Sequence, residues 1–370
     1  MSIALIGQRL RALREEKSLS QDDLARVFGF KDRQTVSAIE NGERRLSADE
    51  LLLAVQKLGA SLEYFTDPFR LVGEGHFNWR QTNVPAAVLG AYERVAGQLI
   101  AVFRTLGSDL GEQPPLLRRS LTLTKNSRFE DASAAGERFA AEYNLGNKPS
   151  EKLAEVMENE LQILVLFVTP NNAGVSGAAC RLLDLDVVLI NRDETPGRRH
   201  FDLAHELFHI LTWEVMPPVH VEEATEIGGN RVEQLANAFA SALLMPRRVV
   251  ETFADWTALR GKALASPLNS AADQLQVTSS ALLWRLVSLR LIDKVEARAL
   301  SPDALRHNGR KGQKAPKAPP LFSKRFVEIV ARAIDEGRVS TRKVAGLLGL
   351  TVDDLAVLFE AHGVPAPYEL

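Results

Sequence analysis

The stretch RRHFDLAHELFHILTW, residues 198–213, places His205, Glu206 and His209 in an HExxH arrangement. Thr195 and Pro196, just upstream, supply a helix N-cap and a first-turn proline. Leu203, Ala204, Leu207, Phe208 and Leu211 make the predicted helix largely apolar, as suits a buried element. Residues four apart on a helix lie ~40° apart around it and ~6 Å along it, so both imidazoles face one metal ion. Glu206 sits beside the first ligand without being one. Zinc lowers the pKa of a bound water towards ~7, and a neighbouring carboxylate takes that proton and later protonates the amine leaving a cut peptide bond. His200, five residues before His205, is turned ~140° away and is expected to lie off the metal face.

Two histidines require a third protein ligand. The candidates downstream are Glu214, His220, Glu222, Glu223, Glu226 and Glu233, and spacing alone does not choose among them. Glu233 opens a helical run, RVEQLANAFASALL (231–244), ended by Met245 and Pro246. Glu222, Glu223 and Glu226 lie in an acidic, solvated-looking stretch. Within it, Thr225–Asn230 has the two glycines of a candidate gate. His220 is a candidate for stabilising an oxyanion. Upstream, QILVLFVT (162–169) and DVVLIN (186–191) read as buried strands, and a small-residue stretch beginning NNAGVSGAAC lies between them.

A second pattern occupies residues 1–67. Ser20 caps a predicted helix over Gln21–Phe28, Gly29 ends it, and a further helix follows near Arg33–Asn41. SQDDLARVFGFKDRQTVSAIENGERRL (20–46) resembles the helix-turn-helix of the Xre/Cro-type repressors. That resemblance implies binding to double-stranded DNA. Arg33, Gln34 and Ser37 would face base edges, and Gln21, Asn41, Arg44 and Arg45 would bond phosphates. The segment holds 10 Lys/Arg against 11 Asp/Glu, so one copy alone is expected to bind weakly, and docking to a protein is the alternative.

RRHFDLAHELFHIL followed by EQLANAFASALLMP resembles the ImmA/IrrE metallopeptidase family, and GVSGAACRLLDLDVVLINRDETPGRRHF resembles the family's strand region. The resemblance covers roughly residues 160–250. It implies Glu233, four residues before Asn237, as the third ligand beside His205 and His209, with Glu206 as general base. The metal it implies is Zn2+, and Mn2+ suits the same donors. It also implies an extended substrate aligned on a sheet edge, and Asp186–Asn191 is the candidate edge strand, with an interior position as the alternative. The implied activity is cleavage of a partner repressor or antitoxin, often encoded next door. Such cleavage derepresses genes in stress response, mobile elements or toxin–antitoxin systems. A non-proteolytic Xre-type regulator, using the protease-like domain as sensor or dimer scaffold, is the competing expectation.

The 370-residue chain has ordinary globular composition and a net charge of −2, which excludes DNA binding by bulk charge. One cysteine, Cys180, excludes an intrachain disulfide and a Cys-rich zinc knuckle, and is expected to be a small packed residue. The early charges of the N-terminus and the lack of a ~20-residue apolar run predict a cytoplasmic protein with no membrane partner. Residues 68–155 read as a mostly helical connecting region, 156–300 as the peptidase domain, and 301–320 as a basic Pro/Gly linker. Residues 339–363 echo 19–43, so 321–370 read as a second helix-turn-helix-like module. Asp353 and Asp354 favour protein contact there, with homodimerisation one use. The expected fold is mainly α with a small β-sheet (α+β): a helix-turn-helix bundle, a zincin-like metallopeptidase core and a C-terminal helical module.

Overall fold

The computed structural model describes residues 3–73, 75–81, 84–112, 118–170, 174–217, 231–305 and 318–367. Five helices come first: α1 (Ile3–Glu16), α2 (Gln21–Phe28), α3 (Arg33–Glu40), α4 (Ala48–Leu58) and α5 (Leu62–Thr66). Ser20 and Asp23 form a reciprocal capping box at the start of α2, and Gly29 closes it in the left-handed conformation at φ 70°. Asp32 caps α3 through the Thr35 amide. Leu10, Leu24, Val36, Ile39, Ala54 and Phe65 form the core of this unit. Gly7 is required there, because a Cβ would lie 2.0 Å from the Ile39 carbonyl oxygen.

The remaining elements are β1 (His76–Gln81), α6 (Ala86–Asp109), α7 (Phe129–Glu142), α8 (Pro149–Asn159), β2 (Ile163–Val168), β3 (Val175–Arg181), β4 (Asp186–Asn191), α9 (Pro196–Thr212), α10 (Arg231–Leu244), α11 (Arg247–Val250), α12 (Lys262–Leu275), α13 (Ser279–Ser288), α14 (Lys294–Ala299), α15 (Lys324–Asp335), α16 (Thr341–Leu348) and α17 (Val352–His362). The class is the expected one, mainly α with a small sheet. The strand order is β1-β3-β4-β2. Strands β2 and β4 are parallel, and β3 runs antiparallel to both β4 and β1.

Both faces of the sheet are covered. Val165, Ala179, Val188 and Ile190 pack with Leu203, Leu207, Phe208 and Phe239 on one side. Leu164, Leu166, Ala178, Cys180 and Leu189 pack with Ile100, Phe103, Phe326 and Phe359 on the other. Two-sided burial explains the continuous apolar runs of β2 and β4. Cys180 is fully buried, and burial pushes its thiol pKa up.

Two sequence expectations need correction. Asp186–Asn191 is an interior strand, flanked by β3 and β2, and not an edge. The connecting region contributes a strand, β1, as well as helices. The small-residue stretch VSGAACR is itself the strand β3. Its residues are small because helices press on both faces. A Cβ on Gly177 would lie 2.9 Å from the Leu189 carbonyl oxygen and 3.5 Å from Glu206 Cγ. Close packing outweighs the low strand propensity of Gly and Ala.

In the C-terminal module Ser340 caps α16 and Gly349 ends it at φ 67°, the same devices that frame α2. Its apolar side chains meet the chain's own sheet and α6. Phe326 stacks on Phe103 with centroids 6.1 Å apart, and the Phe322 amide donates to the Phe167 carbonyl at 2.8 Å. Residues 306–317 of the basic linker lie outside the described residues. Among the described residues no helix is long and apolar enough to cross a membrane.

Phe326 is fully buried in this interface. Phe326→Ala should lower unfolding stability by about 3–5 kcal/mol. Denaturant unfolding followed by circular dichroism checks this, and a loss below about 1 kcal/mol would show that the module is not docked as described.

Candidate metal centre

Helix α9 begins at Pro196, whose fixed φ suits the first helical position. Thr195 has N-cap backbone geometry but makes no side-chain cap bond, which corrects the expected cap. The helix start is held instead by the Arg199 guanidinium, which donates to the Arg192 carbonyl at 3.1 Å. Leu203, Ala204, Leu207 and Phe208 enter the core, and His205, Glu206 and His209 are buried with them. Helix α10 crosses α9 and carries Glu233 in its first turn. Helix α10 is fixed in turn against α7, where a Cβ on Gly136 would lie 2.4 Å from the Phe239 carbonyl oxygen.

The structure brings three donors together. His205 Nε2 and His209 Nε2 lie 3.1 Å apart. Glu233 places Oε2 3.0 Å from His205 Nε2 and Oε1 3.2 Å from His209 Nε2. One ligand atom from each residue falls within 4.8 Å of the others. Ligand atoms about 2.0–2.1 Å from a tetrahedral zinc are separated by roughly 3.3 Å, so the donor set fits that ion. Two imidazoles and a carboxylate are also a conventional zinc donor set.

Burial and pairing give the donors different proton affinities, and a metal displaces the proton that His209 favours. Burial pushes His205 down to about 4, keeping that imidazole neutral. Burial also opposes charge on His209, but hydrogen bonding to Glu233 and its charge raise the His209 pKa. Burial likewise opposes charge on Glu233, yet its bonds to His205 and His209 hold the carboxyl well below the usual range. Glu206 differs from all three. It is fully buried, and neither carboxylate oxygen has a hydrogen-bond partner. Burial raises its pKa to about 8. A buried carboxyl with no structural partner, one position after a ligand, is placed for proton transfer.

The other third-ligand candidates separate plainly. Glu214 is held by Arg181 at 2.8 Å. His220, Glu222, Glu223 and Glu226 lie outside the described residues, as does the candidate gate Thr225–Asn230. His200 bonds the Gln276 carbonyl at 2.9 Å through Nδ1, which gives it a structural task.

Sequence reasoning missed two participants. Asn237 Oδ1 lies 3.0 Å from His205 Nδ1, so it orients that ring and leaves Nε2 for a metal. Its spacing of four from Glu233, on the same helix face, was the available signal. The second is Arg80 of β1, in a region where the sequence showed no chemistry. Its Nε lies 3.2 Å from Oδ1 of Asp202, a buried carboxylate on α9. Burial raises the Asp202 pKa, while Arg80 and Arg198 act against that.

In the helix-turn-helix unit, Arg33 and Gln34 are exposed in the first turn of α3, and Asn41 and Arg45 are exposed beyond it. Ser37 is half-buried. Gln21 donates to Glu40 at 2.9 Å, in a network with Arg14. Arg44 pairs with Glu50 at 2.7 Å and stacks over Phe30.

Two outcomes are expected. Asn237→Ala should weaken zinc affinity about 10–100-fold with the fold intact, measured by competition with a chromophoric chelator. Unchanged affinity would remove Asn237 from the centre. In the metal-free chain Glu206 stays protonated when folded and ionises when unfolded, between about pH 4.5 and 8. The folded state therefore binds the extra proton, and stability is lost as pH rises through that window. Glu206→Gln lacks this loss. Its melting temperature should gain on wild type from about pH 5 to 8 and level off above. A gap independent of pH would show that Glu206 is not held neutral.

Residues 10–65 match the helix-turn-helix family model, and residues 158–285 match the IrrE N-terminal-like domain. The HTH-type transcriptional regulator PrpR of Mycobacterium tuberculosis is 26% identical over 275 residues, 65% of this chain and 56% of that protein. The radiation response metalloprotease IrrE of Deinococcus radiodurans is 29% identical over 128 residues, 31% of this chain and 38% of IrrE. The Deinococcus deserti IrrE is 33% identical over 107 residues, 27% of this chain and 35% of its own length. The chain thus spans little more than half of the first relative and just over a third of the other two. These matches bracket the two units built above: the chain joins an Xre-type helix-turn-helix domain to an IrrE N-terminal-like domain.

Proposed function

We propose that this chain is a regulatory zinc endopeptidase that cuts a protein partner, a transcriptional repressor or antitoxin. That cut would derepress genes in stress, mobile-element or toxin–antitoxin control. One observation carries the reading: Glu206 is buried without a partner beside the His205–His209–Glu233 donor set. A sensor or scaffold gains nothing from an unpaired buried carboxyl, which costs roughly 1–3 kcal/mol or more to leave unsatisfied. The naming of the Deinococcus relatives as metalloproteases supports the same reading.

His205, His209 and Glu233 would hold the ion, and Asn237 would fix the His205 ring. The bound ion supplies Lewis acidity towards a peptide carbonyl and acidifies water. Glu206 takes the proton of the attacking water at a carboxylate oxygen, holds it in the dry interior, and gives it to the departing amine. The charge of the bound ion would favour the carboxylate that the first duty needs, and the buried surroundings the protonated form that the second needs. Zinc is the reading that the donors favour, and manganese is compatible with them. The helix-turn-helix unit, with Arg33 and Gln34 at the open end of α3, would place the enzyme on DNA beside DNA-bound regulators.

The test compares metal-loaded wild type with Glu206→Gln. Each is added to cell extract, and new N-termini are labelled and identified by mass spectrometry. Wild type should generate a new terminus in a DNA-binding regulator, and the variant, with metal retained, should lose it by at least about 10³-fold. Identical fragments from both proteins would remove Glu206 from the chemistry and defeat the peptidase reading.

A further inference from the structure

Strand β1 comes from the connecting segment and lies outside the matched peptidase domain. It nevertheless completes that domain's sheet. It runs antiparallel along β3, pairing Phe77 with Cys180, Trp79 with Ala178 and Arg80 with Gly177. The Gly177 pair lies over the catalytic helix, because a Cβ there would stand 3.5 Å from Glu206 Cγ. Directly opposed residues in an antiparallel pair point to the same face. Arg80 therefore points down towards α9, as Glu206 demands of Gly177, while Phe77 and Trp79 pack on the opposite face. The Arg80 guanidinium lies over the Phe201 ring at 5.7 Å. It reaches Asp202, one helical turn before His205.

The fit at Asp202 is incomplete. The carboxylate is 1% exposed, and neither oxygen has a hydrogen bond of good geometry, although Arg80 Nε stands 3.2 Å away and Arg198 Nε 3.5 Å away. Arg80 Nη1 is likewise buried without a partner. These groups line a cavity of about 780 Å³ that also includes Asn237, the partner of His205. A buried anion beside the metal ligands is thus met, imperfectly, by a cation delivered on an extended strand.

Resting on the peptidase reading, we infer that β1 is an internal pseudosubstrate. It fills the β3 edge that an extended peptide takes by strand addition, and Arg80 occupies the seat of a basic substrate side chain against Asp202. The substrate class follows. It is an extended segment carrying Arg or Lys opposite Gly177, and its entry requires β1 to leave the edge. An acidic side chain at that position would meet Asp202 and be rejected.

The test uses the full chain as its zinc-loaded Glu206→Gln form, so that peptide binds without turnover. The probe is the decapeptide GHFNWRQTNV, the sequence of residues 75–84, beside a version with Glu in place of its Arg. Hydrogen exchange is followed in His76–Gln81 and in Val175–Arg181. The Arg peptide should speed exchange of the β1 amides at least 10-fold while β3 stays protected, and the Glu peptide should not. Asp202→Asn should weaken binding of the Arg peptide at least 10-fold. Binding with β1 still protected, equal action of both peptides, or no binding would overturn the inference. Cleavage by the Glu206-bearing chain is read separately. Strand replacement without cleavage defeats the peptidase reading alone, and cleavage with β1 in place defeats this one alone.

Discussion

Keeping two imidazoles and a carboxyl dry on one face of α9 is the constraint that the rest of the fold answers. Removing ionisable groups from water costs several kcal/mol each unless they are neutral or paired. Here His205 is neutral, His209 and Glu233 support each other, and Glu206 keeps its proton. The surrounding core must be tight enough to exclude water and rigid enough to aim the donors. The glycine of β3 above Glu206 and that of α7 against α10 serve this purpose, because each allows an approach that a side chain would block. The C-terminal module contributes from the far side by covering the second face of the sheet, which lets the middles of β2, β3 and β4 be apolar or small on both faces.

The site was more legible in sequence than the sheet. The HExxH spacing is a consequence of helix geometry alone, so it reads without tertiary information. The capped helices framed by Ser20 and Gly29, and by Ser340 and Gly349, are local too. Strand β3 was legible only through the family resemblance, because its Gly and Ala residues answer to helix packing across the sheet, which no local pattern reports. Strand β1 was hidden for a different reason. Its chemistry, the Arg80–Asp202 pair, joins residues 122 positions apart, and neither sequence segment announces the other. The edge position of Asp186–Asn191 was unreadable, since interior and edge strands buried on both faces carry the same run of Val, Leu and Ile.

The route between the two domains gives the arrangement its logic. The chain leaves α5, and the Pro68 carbonyl accepts from Thr105 of α6 at 2.9 Å. A Cβ on Gly73 would lie 2.3 Å from Ala12 Cβ of α1. The link then runs directly into β1. The helix-turn-helix unit, the edge strand β1 and α6 therefore follow one another in sequence. Sequence order thus ties the helix-turn-helix unit to the strand that pairs with β3 above α9.

The central claim is that His205, His209 and Glu233 hold one metal ion. Elemental mass spectrometry of the purified chain, wild type beside His205→Ala, tests it most directly. The account predicts close to one zinc per wild-type chain and loss of that zinc in a variant that still folds. A chain that takes up no metal on reconstitution, or a variant that keeps its full complement, would contradict it.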